Sequence, residues 1–325
     1  MSEPLLPYIS LPEIPIFPSF TLPGVGVVDT ISIKPFGALV ATGVYAGWAL
    51  ALRQAKRFRL DVEVMNSFVA WVAGIGFVGG HVIDVILYHP DKLTHAPSLG
   101  AAVQELLFLW RSLSSFGGFI GATLGVLIWK LRFKVRETMP WADIVGSAFP
   151  LGWVFGRMGC SVAHDHPGLR SDVWFAVQYP GGARFDLGLY EMLFTIPLVA
   201  SFLWLMRRPR PPGFFLGLMC MSYAPTRFAL DFLRATDVRD ADPRHLGLTP
   251  AQWLCFLLMG TGVALYLHAL RASERGDDPL QRARLLGASV VRDVGPDAGG
   301  DDGDEEIVEE VEERKKRKPK KARRA

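Results

Sequence analysis

The chain has 325 residues, of which 50% are hydrophobic and 21% charged, and its formal net charge is +3. Charge is concentrated between long apolar runs and near the C-terminus, which argues against a soluble two-domain protein and indicates a polytopic membrane protein. The small net charge says little about partners, because acidic and basic blocks near the C-terminus almost cancel.

Residues 1–34 are rich in proline and carry scattered Leu, Ile and Phe, as in the run LPYISLPEIPIFPSF. Proline removes a helical hydrogen bond and clashes with the preceding turn, so a continuous helix is excluded here. We expect an irregular segment that lies against the outer surface of the membrane. A disordered leader is the alternative.

Seven apolar segments follow, each close to the roughly 20 residues that a helix needs to cross the hydrocarbon core. Clusters of Lys and Arg follow the first, third, fifth and seventh segments. The positive-inside rule then places the N-terminus outside and the C-terminus in the cytoplasm. We predict an all-α membrane domain over residues 35–272 with seven transmembrane helices, at 36–53, 65–88, 114–131, 140–158, 187–206, 213–233 and 249–270.

Two further segments do not have the pattern of a span. Residues 90–112 contain the run AAVQELLFLWRS, which is too short to span and predicts an interfacial helix or a re-entrant piece. Residues 276–325 are polar, with an acidic block followed by a basic one. Blocks of like charge stay solvated, so we predict a disordered cytoplasmic tail. Contact of its basic end with anionic lipid or nucleic acid is the alternative.

Two arginines lie near the predicted outer ends of their helices. Tyr223, Arg227 and Asp231 recur every four residues, which places them on one helix face. Arg227 and Asp231 either neutralise each other or leave the arginine available to a ligand. Arg157 has no carboxylate one turn before it, and an arginine at a membrane boundary is a functional candidate. Two guanidiniums suit a phosphate, because each forms bidentate charge-assisted pairs, so the pattern indicates a phospholipid headgroup.

Two polar motifs near these arginines leave alternatives open. Glu191 either orients a guanidinium or caps the start of the fifth span, where a carboxylate is favoured. The run His164-Asp165-His166 binds a metal, supplies a proton acceptor, or is a polar loop without chemistry. The three cysteines lack metal spacing and no second cluster of ligands is evident, so we predict no metal site.

Four short motifs occur in order along the chain. They are Gly156-Arg157-Met158-Gly159 closing on Gly168, then Leu189-Tyr190-Glu191, then Tyr223-x-x-x-Arg227-x-x-x-Asp231-Phe232-Leu233-Arg234, and last Leu248-Thr249-x-x-Gln252. Together they resemble the prolipoprotein diacylglyceryl transferases of bacterial inner membranes, over roughly residues 5–270.

The resemblance implies an enzyme that moves the diacylglyceryl group of phosphatidylglycerol onto the lipobox cysteine thiol of a prolipoprotein and releases glycerol phosphate. It implies an inner-membrane location and contacts with membrane lipid and with prolipoprotein signal peptides. It implies no metal or cofactor, and no nucleic-acid partner is expected. The departing phosphate needs fixed positive charge, which Arg157 and Arg227 would supply. Four further residues would hold or orient the lipid: Gly168, Tyr223, Asp231 and Glu191.

Three places depart from the family pattern. Phe116 stands where the family's Phe-His-Gly-Gly has a histidine that is a candidate base. Cys160 replaces the asparagine after Gly-Arg-x-Gly, and Ala163-His164-Asp165 replaces Asn-Gly-Glu. Only a thiolate is a competent nucleophile. We therefore expect His164 or His166 to take the thiol proton, unless the thiol arrives ionised or the reaction is impaired.

Two rival hypotheses keep the fold. One is a divergent paralogue that acts on another lipid or acceptor. The other is a non-catalytic lipid-binding or assembly protein that retains the arginines. The replacement of the family histidine by Phe116 favours both rivals, and the matches at Arg157, Gly168, Tyr223 and Arg227 favour the enzyme.

Overall fold

The computed structural model describes residues 6–22, 26–28, 30–107, 113–135, 138–238, 241–242 and 244–274. The described chain is mostly helical. Its α-helices are α1 (Pro35–Arg57), α2 (Val62–Ile83), α3 (Asp91–Thr94), α4 (Leu99–Leu107), α5 (Ser115–Arg132), α6 (Met139–Ala163), α7 (Leu187–Leu205), α8 (Phe214–Leu230) and α9 (Pro250–Glu274). Its strands are β1 (Ile14–Phe17), β2 (Phe20–Leu22), β3 (Gly26–Val28), β4 (Ile31–Ile33), β5 (Pro167–Arg170) and β6 (Arg184–Asp186).

Each of the seven predicted spans coincides with a long helix: α1, α2, α5, α6, α7, α8 or α9. Among the described residues, four helical segments are long and apolar enough to cross a bilayer, namely Pro35–Arg57, Val62–Ile86, Leu187–Leu205 and Pro250–Glu274. The chain is therefore a mostly helical, multi-pass membrane protein.

Glycines set the closest approaches between helices. A Cβ on Gly43 of α1 would lie 2.5 Å from the carbonyl oxygen of Gly152 on α6. A Cβ on Gly121 of α5 would lie 2.5 Å from the carbonyl oxygen of Ile75 on α2. Distances this short admit no side chain, so glycine is what lets these backbones pack together in lipid.

Part of the N-terminal segment forms strands, which corrects the prediction of an irregular segment there, whereas residues 7–13 have no regular structure. β1 pairs antiparallel with β4, and β2 pairs antiparallel with β3. Each of these sheets has two strands, so every strand is an edge strand, where proline is tolerated. Pro15 accordingly lies in register with Ser32. Proline excluded a helix in this segment but did not exclude an edge strand.

Two predicted segments fall partly or wholly outside the described residues. The 90–112 segment contains α3 and α4, and its residues 108–112 are not described. The predicted disordered tail at 276–325 lies outside the described residues.

One end of the bundle combines the C-terminal ends of α6 and α8 with the N-terminal ends of α7 and α9. His164 follows α6 in the left-handed conformation, with φ 52° and ψ 33°, and so reverses the chain. β5 then pairs with β6, which leads directly into α7. Gly168 of β5 forms a bridge to Arg234, just beyond α8. The motif that begins at Arg157 therefore lies against the start of α7 and the end of α8.

Candidate active site

Gly188 sets the distance between α6 and α7 at this end. A Cβ there would lie 2.8 Å from the backbone nitrogen of Ser161 and 3.0 Å from Cβ of Cys160. This approach brings Arg157 on α6 beside Glu191 on α7. The Nε atom of Arg157 lies 2.6 Å from Oε2 of Glu191, and the two side chains are 4% and 1% exposed. Of the two alternatives for Glu191, the structure shows contact with a guanidinium.

Asp186 is the residue that caps α7, because its Oδ1 accepts a hydrogen bond of 2.9 Å from the backbone nitrogen of Leu189. A carboxylate at a helix start is the usual capping signal, and the chain places one five residues before Glu191. Glu191 is thereby left to the arginines.

Tyr223 joins α8 to the pair of Arg157 and Glu191. Its hydroxyl donates to Oε2 of Glu191 at 2.9 Å and accepts from Nη2 of Arg157 at 3.2 Å. The guanidinium of Arg157 also lies over the ring of Trp153, 4.5 Å from its centroid. Its Nη1 atom faces the sulfur of Cys160 at 3.8 Å. Every nitrogen of this guanidinium thus has a partner, which fixes its position.

Arg227 approaches the same carboxylate from the other side. Its Nη1 atom lies 3.4 Å from Oε1 of Glu191 and 2.8 Å from Oδ1 of Asp231. Neither contact is aligned as a hydrogen bond, so both are ion pairs by distance alone. The side chain of Arg227 is 12% exposed, against 4% for Arg157. Arg227 is therefore the less constrained of the two guanidiniums.

Asp231 follows the last residue of α8 and is fully buried. Its carboxylate contacts more than one side chain. Besides Arg227, it accepts a very short hydrogen bond from the hydroxyl of Thr249, at the start of α9. The side chain of Arg234 lies 4.0 Å from it. Arg227 and Asp231 are in contact, as one of the two interpretations expects. Arg227 also contacts Glu191, so Asp231 is not its only charge partner.

The ring of His164 is held on both sides. Its Nδ1 atom lies 2.8 Å from Oδ2 of Asp186, and its Nε2 atom lies 3.1 Å from the backbone oxygen of Ile9. The ring also stacks on Tyr8 with a centroid separation of 3.9 Å. Each ring nitrogen therefore faces an acceptor oxygen. His164 thus fastens the N-terminal segment to the loop before α7.

Asp186 has a third partner in Tyr179, whose hydroxyl donates to its Oδ2 atom at 3.0 Å. Burial and the neighbouring negative charge of Asp186 raise the pKa of Tyr179. Tyr179 therefore stays a neutral donor to Asp186.

His166 has a different environment. Its Nδ1 atom donates to Oδ1 of Asp165 at 2.5 Å, and its side chain is 20% exposed. Burial alone would raise the pKa of Asp165, but the hydrogen bond from His166 and the charge of Arg157 hold that pKa below its usual value. Asp165 also lines a cleft of about 200 Å³, together with Pro167, Arg234, Ala235, Val238 and Ala241. Asp165, the partner of His166, is therefore open to this cleft.

Cys160 is the residue that sequence reasoning left without a role. Its sulfur and ligand atoms of Asp165 and His166 all lie within 4.8 Å of one another. The signal was present, because Cys160 and Asp165 are both departures from the family motifs. Because the two lie on different sides of the chain reversal at His164, their spacing in the sequence does not predict that they meet.

Gly168 has a structural position in this site. A Cβ there would lie 2.6 Å from Cβ of Phe185 and 2.8 Å from the backbone oxygen of Leu233. Its own carbonyl accepts a hydrogen bond of 3.1 Å from Nη1 of Arg184. Gly168 thus lets β5 fit between β6 and the end of α8.

A second ion-pair cluster closes the loop around Gly168. The guanidinium of Arg184 forms a fork with Asp237, at 2.8 and 2.6 Å. Arg170 adds a contact of 3.3 Å to the same carboxylate. The hydrogen bonds from Arg184 and Arg170 hold the pKa of Asp237 far below its usual value. The segment after α8 is thereby tied to both strands of the loop.

The chain is similar in sequence to known proteins. A family model described as prolipoprotein diacylglyceryl transferase matches residues 25–268. The chain is 30% identical over 253 residues to a phosphatidylglycerol–prolipoprotein diacylglyceryl transferase of Pseudomonas aeruginosa, covering 75% of the chain and 92% of the relative. It is 30% identical to one of Nitratidesulfovibrio vulgaris, covering 76% and 93%. It is 28% identical to one of Chromohalobacter salexigens, covering 80% and 96%.

Proposed function

The chain belongs to the prolipoprotein diacylglyceryl transferase family, and we propose that it transfers the diacylglyceryl group of phosphatidylglycerol to the cysteine thiol of prolipoproteins. The observation that carries this proposal is the meeting of Arg157 and Arg227 at one carboxylate, Glu191. Two guanidiniums from different helices, held at a single point, form a site for a phosphate diester.

The reaction needs one bond to form and one to break. The acceptor thiolate attacks the glyceryl carbon that carries the phosphate, so a carbon–sulfur bond forms as the carbon–oxygen bond breaks. The electron pair leaves with the phosphate oxygen, and glycerol phosphate departs. Negative charge grows on that oxygen in the transition state, where fixed guanidiniums stabilise it most. Arg157 is the fixed group, and Arg227 is the less constrained one that adjusts to the lipid.

The other predicted lipid-binding residues support the arginines. Glu191 and Tyr223 contact Arg157 directly, and Asp231 contacts Arg227. We propose that these three residues orient the guanidiniums, since a polar side-chain atom of each contacts an arginine. Gly168 contributes by letting the loop close around the site.

We assign activation of the acceptor thiol to His166, with Asp165, rather than to His164. The ring of His164 is engaged by Asp186 and by the carbonyl of Ile9. The ring of His166 has one nitrogen on Asp165, which lines a cleft, and its side chain is 20% exposed. This assignment gives a function to a histidine in a chain where Phe116 stands in place of the family histidine.

We further propose that seven helices cross the bacterial inner membrane, with the N-terminus outside and the C-terminus in the cytoplasm. The seven long helices and the Lys and Arg after the first, third, fifth and seventh of them support this topology. The site then opens at the outer leaflet, where phosphatidylglycerol and the signal peptides of prolipoproteins meet.

Complementation tests the function. The chain is expressed where the resident diacylglyceryl transferase has been depleted, and growth is followed together with the gel mobility of a lipoprotein precursor. We expect lipid-modified precursor and restored growth. Membrane-inserted protein that gives neither, with acceptors from its own host co-expressed, would contradict the proposal and favour a paralogue or a non-catalytic lipid-binding protein.

A further inference from the structure

One face of α6 carries three different chemical groups in order along the helix. Phe149, Trp153 and Arg157 follow one another every four residues, which aligns their side chains on one face. Successive members of this row lie about 6 Å apart along the helix axis. On the proposed topology Arg157 is nearest the outer surface and Phe149 lies deepest in the membrane. The row therefore changes with depth from a cation, through an indole with one polar atom, to an apolar ring.

The indole of Trp153 is held in place by its neighbours. The guanidinium of Arg157 lies over the ring, 4.5 Å from its centroid. The ring of Phe149 stacks on it with a centroid separation of 5.0 Å. The ring of Tyr223 meets it edge to face, with a centroid separation of 5.6 Å and an interplanar angle of 90°. The position of the indole beside the guanidinium is therefore set before any lipid binds.

Phe119 on α5 adds another ring to this row. Its centroid lies 5.9 Å from that of Phe149 and 5.8 Å from that of Trp153. All three side chains are half-buried, so each keeps part of its ring surface free of protein contact. Aromatic rings offer a large apolar contact area. Below the guanidinium, this cluster is therefore a surface suited to hydrocarbon chains.

The N–H group of Trp153 is a buried donor without an acceptor. Among the described residues, no atom accepts a hydrogen bond from its Nε1 atom, which is shielded from solvent. The N–H group of a buried tryptophan usually has a partner. A buried donor without one is explained when a ligand supplies the acceptor. Since the guanidinium lies over the same ring, a lipid bound to Arg157 would bring its oxygen atoms close to this donor.

Trp141 shows that an unpaired indole alone does not make a site. Its Nε1 atom is also buried and lacks an acceptor within the described part of the chain. Trp141 lies near the start of α6, and its fully buried ring belongs to an apolar cluster with Phe68 and Trp129. Trp153 differs because its ring lies under the guanidinium that we assign to phosphate and is partly free of protein contact.

We propose that the N–H group of Trp153 donates to an ester carbonyl of the donor phospholipid, whose acyl chains lie on Phe149 and Phe119. The assignment rests on the proposed function, because Arg157 there binds the phosphate of the same lipid. In a diacyl phospholipid the ester groups follow the phosphate, and the acyl chains follow the esters. The order of groups in the lipid is thus the order of side chains along α6.

This contact positions the carbon that reacts. The attacked glyceryl carbon lies between the phosphate oxygen and the ester-bearing part of the glyceryl group. Arg157 holds one end of this segment and Trp153 the other, so the carbon is presented to the thiolate in a fixed orientation. The ester carbonyl takes no part in the bonds that form and break. Trp153 is therefore a binding and positioning residue, and it favours ester-linked over ether-linked donors.

The test compares phosphatidylglycerol with its diether analogue of the same chain length, which lacks both ester carbonyls. Transfer to a lipobox peptide is measured with the full-length protein in detergent. We expect kcat/KM of the wild type to be about tenfold higher for the ester lipid, the effect of one hydrogen bond. Trp153→Phe keeps a ring under Arg157 but lacks the N–H group. It should lose this preference by a fall in kcat/KM for the ester lipid alone.

Trp141→Phe is the matched control, because it removes a buried, unpaired N–H group from the same helix. It should keep the preference of the wild type for the ester lipid. An equal loss of kcat/KM for both lipids in Trp153→Phe would overturn the ester contact, since the indole would then serve the phosphate or the packing of Arg157. An unchanged preference in Trp153→Phe would overturn it as well.

Lipid binding without transfer separates this proposal from the proposed function. The rise in melting temperature is measured at one concentration of each lipid. We expect the ester lipid to stabilise the wild type more than the ether lipid does, and Trp153→Phe to abolish that difference. This binding result without any transfer by the wild type would overturn the transferase assignment and leave the ester contact standing. Equal transfer from both lipids by the wild type would overturn the ester contact and leave the transferase assignment intact.

Discussion

The Nε atom of Arg157 lies 2.6 Å from Oε2 of Glu191, an ion pair between α6 and α7 that is almost completely buried. Tyr223 donates to the same oxygen from α8, and Arg227 approaches the other oxygen. One carboxylate therefore holds three helices and positions both guanidiniums. We therefore expect both stability and activity to depend on Glu191.

Glu191→Gln should both destabilise the protein and abolish transfer. The amide keeps the shape of the side chain but leaves the guanidinium of Arg157 buried without its charge partner. Breaking such a pair costs about 3–5 kcal/mol of the free energy of unfolding. Thermal unfolding in detergent and the transfer rate measure the two effects. Glu63→Gln, at an exposed position on α2, is the control. Equal thermal stability of Glu191→Gln and the control would contradict the prediction.

Arg157→Lys should lower the transfer rate by about 100-fold or more, the usual cost of losing a fixed donor to developing negative charge. The guanidinium uses separate nitrogens for Glu191, Tyr223 and the Cys160 sulfur, and one ammonium cannot replace that fork. Arg53→Lys, at an exposed position near the end of α1, is the control. The prediction fails if lysine supports transfer within a few-fold of the wild-type rate.

His164→Gln and His166→Gln should have different effects, although the residues are two apart. The ring of His164 stacks on Tyr8 and bonds to Ile9, so its loss should release the N-terminal segment. Hydrogen exchange at the backbone nitrogen of Gln178, which donates to Leu6, should then become faster. His166→Gln should leave this exchange unchanged and abolish transfer. Slow exchange in His164→Gln, or full transfer by His166→Gln, would show that the roles are assigned wrongly.

Asp237→Asn should lower the melting temperature by an amount that stays constant from about pH 8 to pH 5. Hydrogen bonds from Arg184 and Arg170 depress the pKa of Asp237 in the folded state. A carboxylate with a depressed pKa contributes its full stability above its unfolded pKa, which is about 3.9, and loses it as the pH falls toward the folded pKa. The difference between wild type and variant should therefore shrink only below about pH 4.

The control for this series is Asp172→Asn, an exposed aspartate of the same loop. Its melting temperature should follow that of the wild type across the whole range. A difference between wild type and Asp237→Asn that begins to shrink near pH 6 would show that Asp237 is not held in its ionised form.

The sequence predicted the helices well because the lipid bilayer constrains length and apolarity together. All seven predicted spans coincide with long helices, and the four-residue spacing placed Tyr223 and Arg227 on one helix with Asp231 at its end. The sequence did not predict the N-terminal strands. Proline excludes a helix but is tolerated in an edge strand, so its presence did not separate a strand from an irregular segment.

The sequence identified the residues of the site, but not which of them contact each other. Helix periodicity relates Arg227 to Asp231, whereas the pairing of Arg157 with Glu191 depends on how closely α7 approaches α6. That distance is set by Gly188, which periodicity does not distinguish from other glycines. The separate positions of His164 and His166 depend in the same way on one left-handed residue, which neighbouring sequence does not specify.

Gly168→Ala should reduce both stability and transfer, because a methyl group there has no space. Its Cβ would lie 2.6 Å from Cβ of Phe185 and 2.8 Å from the backbone oxygen of Leu233. Distances below 3.0 Å require the backbone to shift, and overpacking of this kind costs about 1–3 kcal/mol. The shift would move β5 away from the end of α8, and with it His166, two residues earlier.

Gly156→Ala is a matched control in the same motif, because its Cβ meets no atom within 4 Å. It should be at least as stable as the wild type, since alanine favours a helix over glycine by about 1 kcal/mol. A Gly168→Ala protein that melts with the Gly156→Ala control would show that the loop tolerates a side chain at this point, and that the close contact of β5 with α8 is not what positions His166.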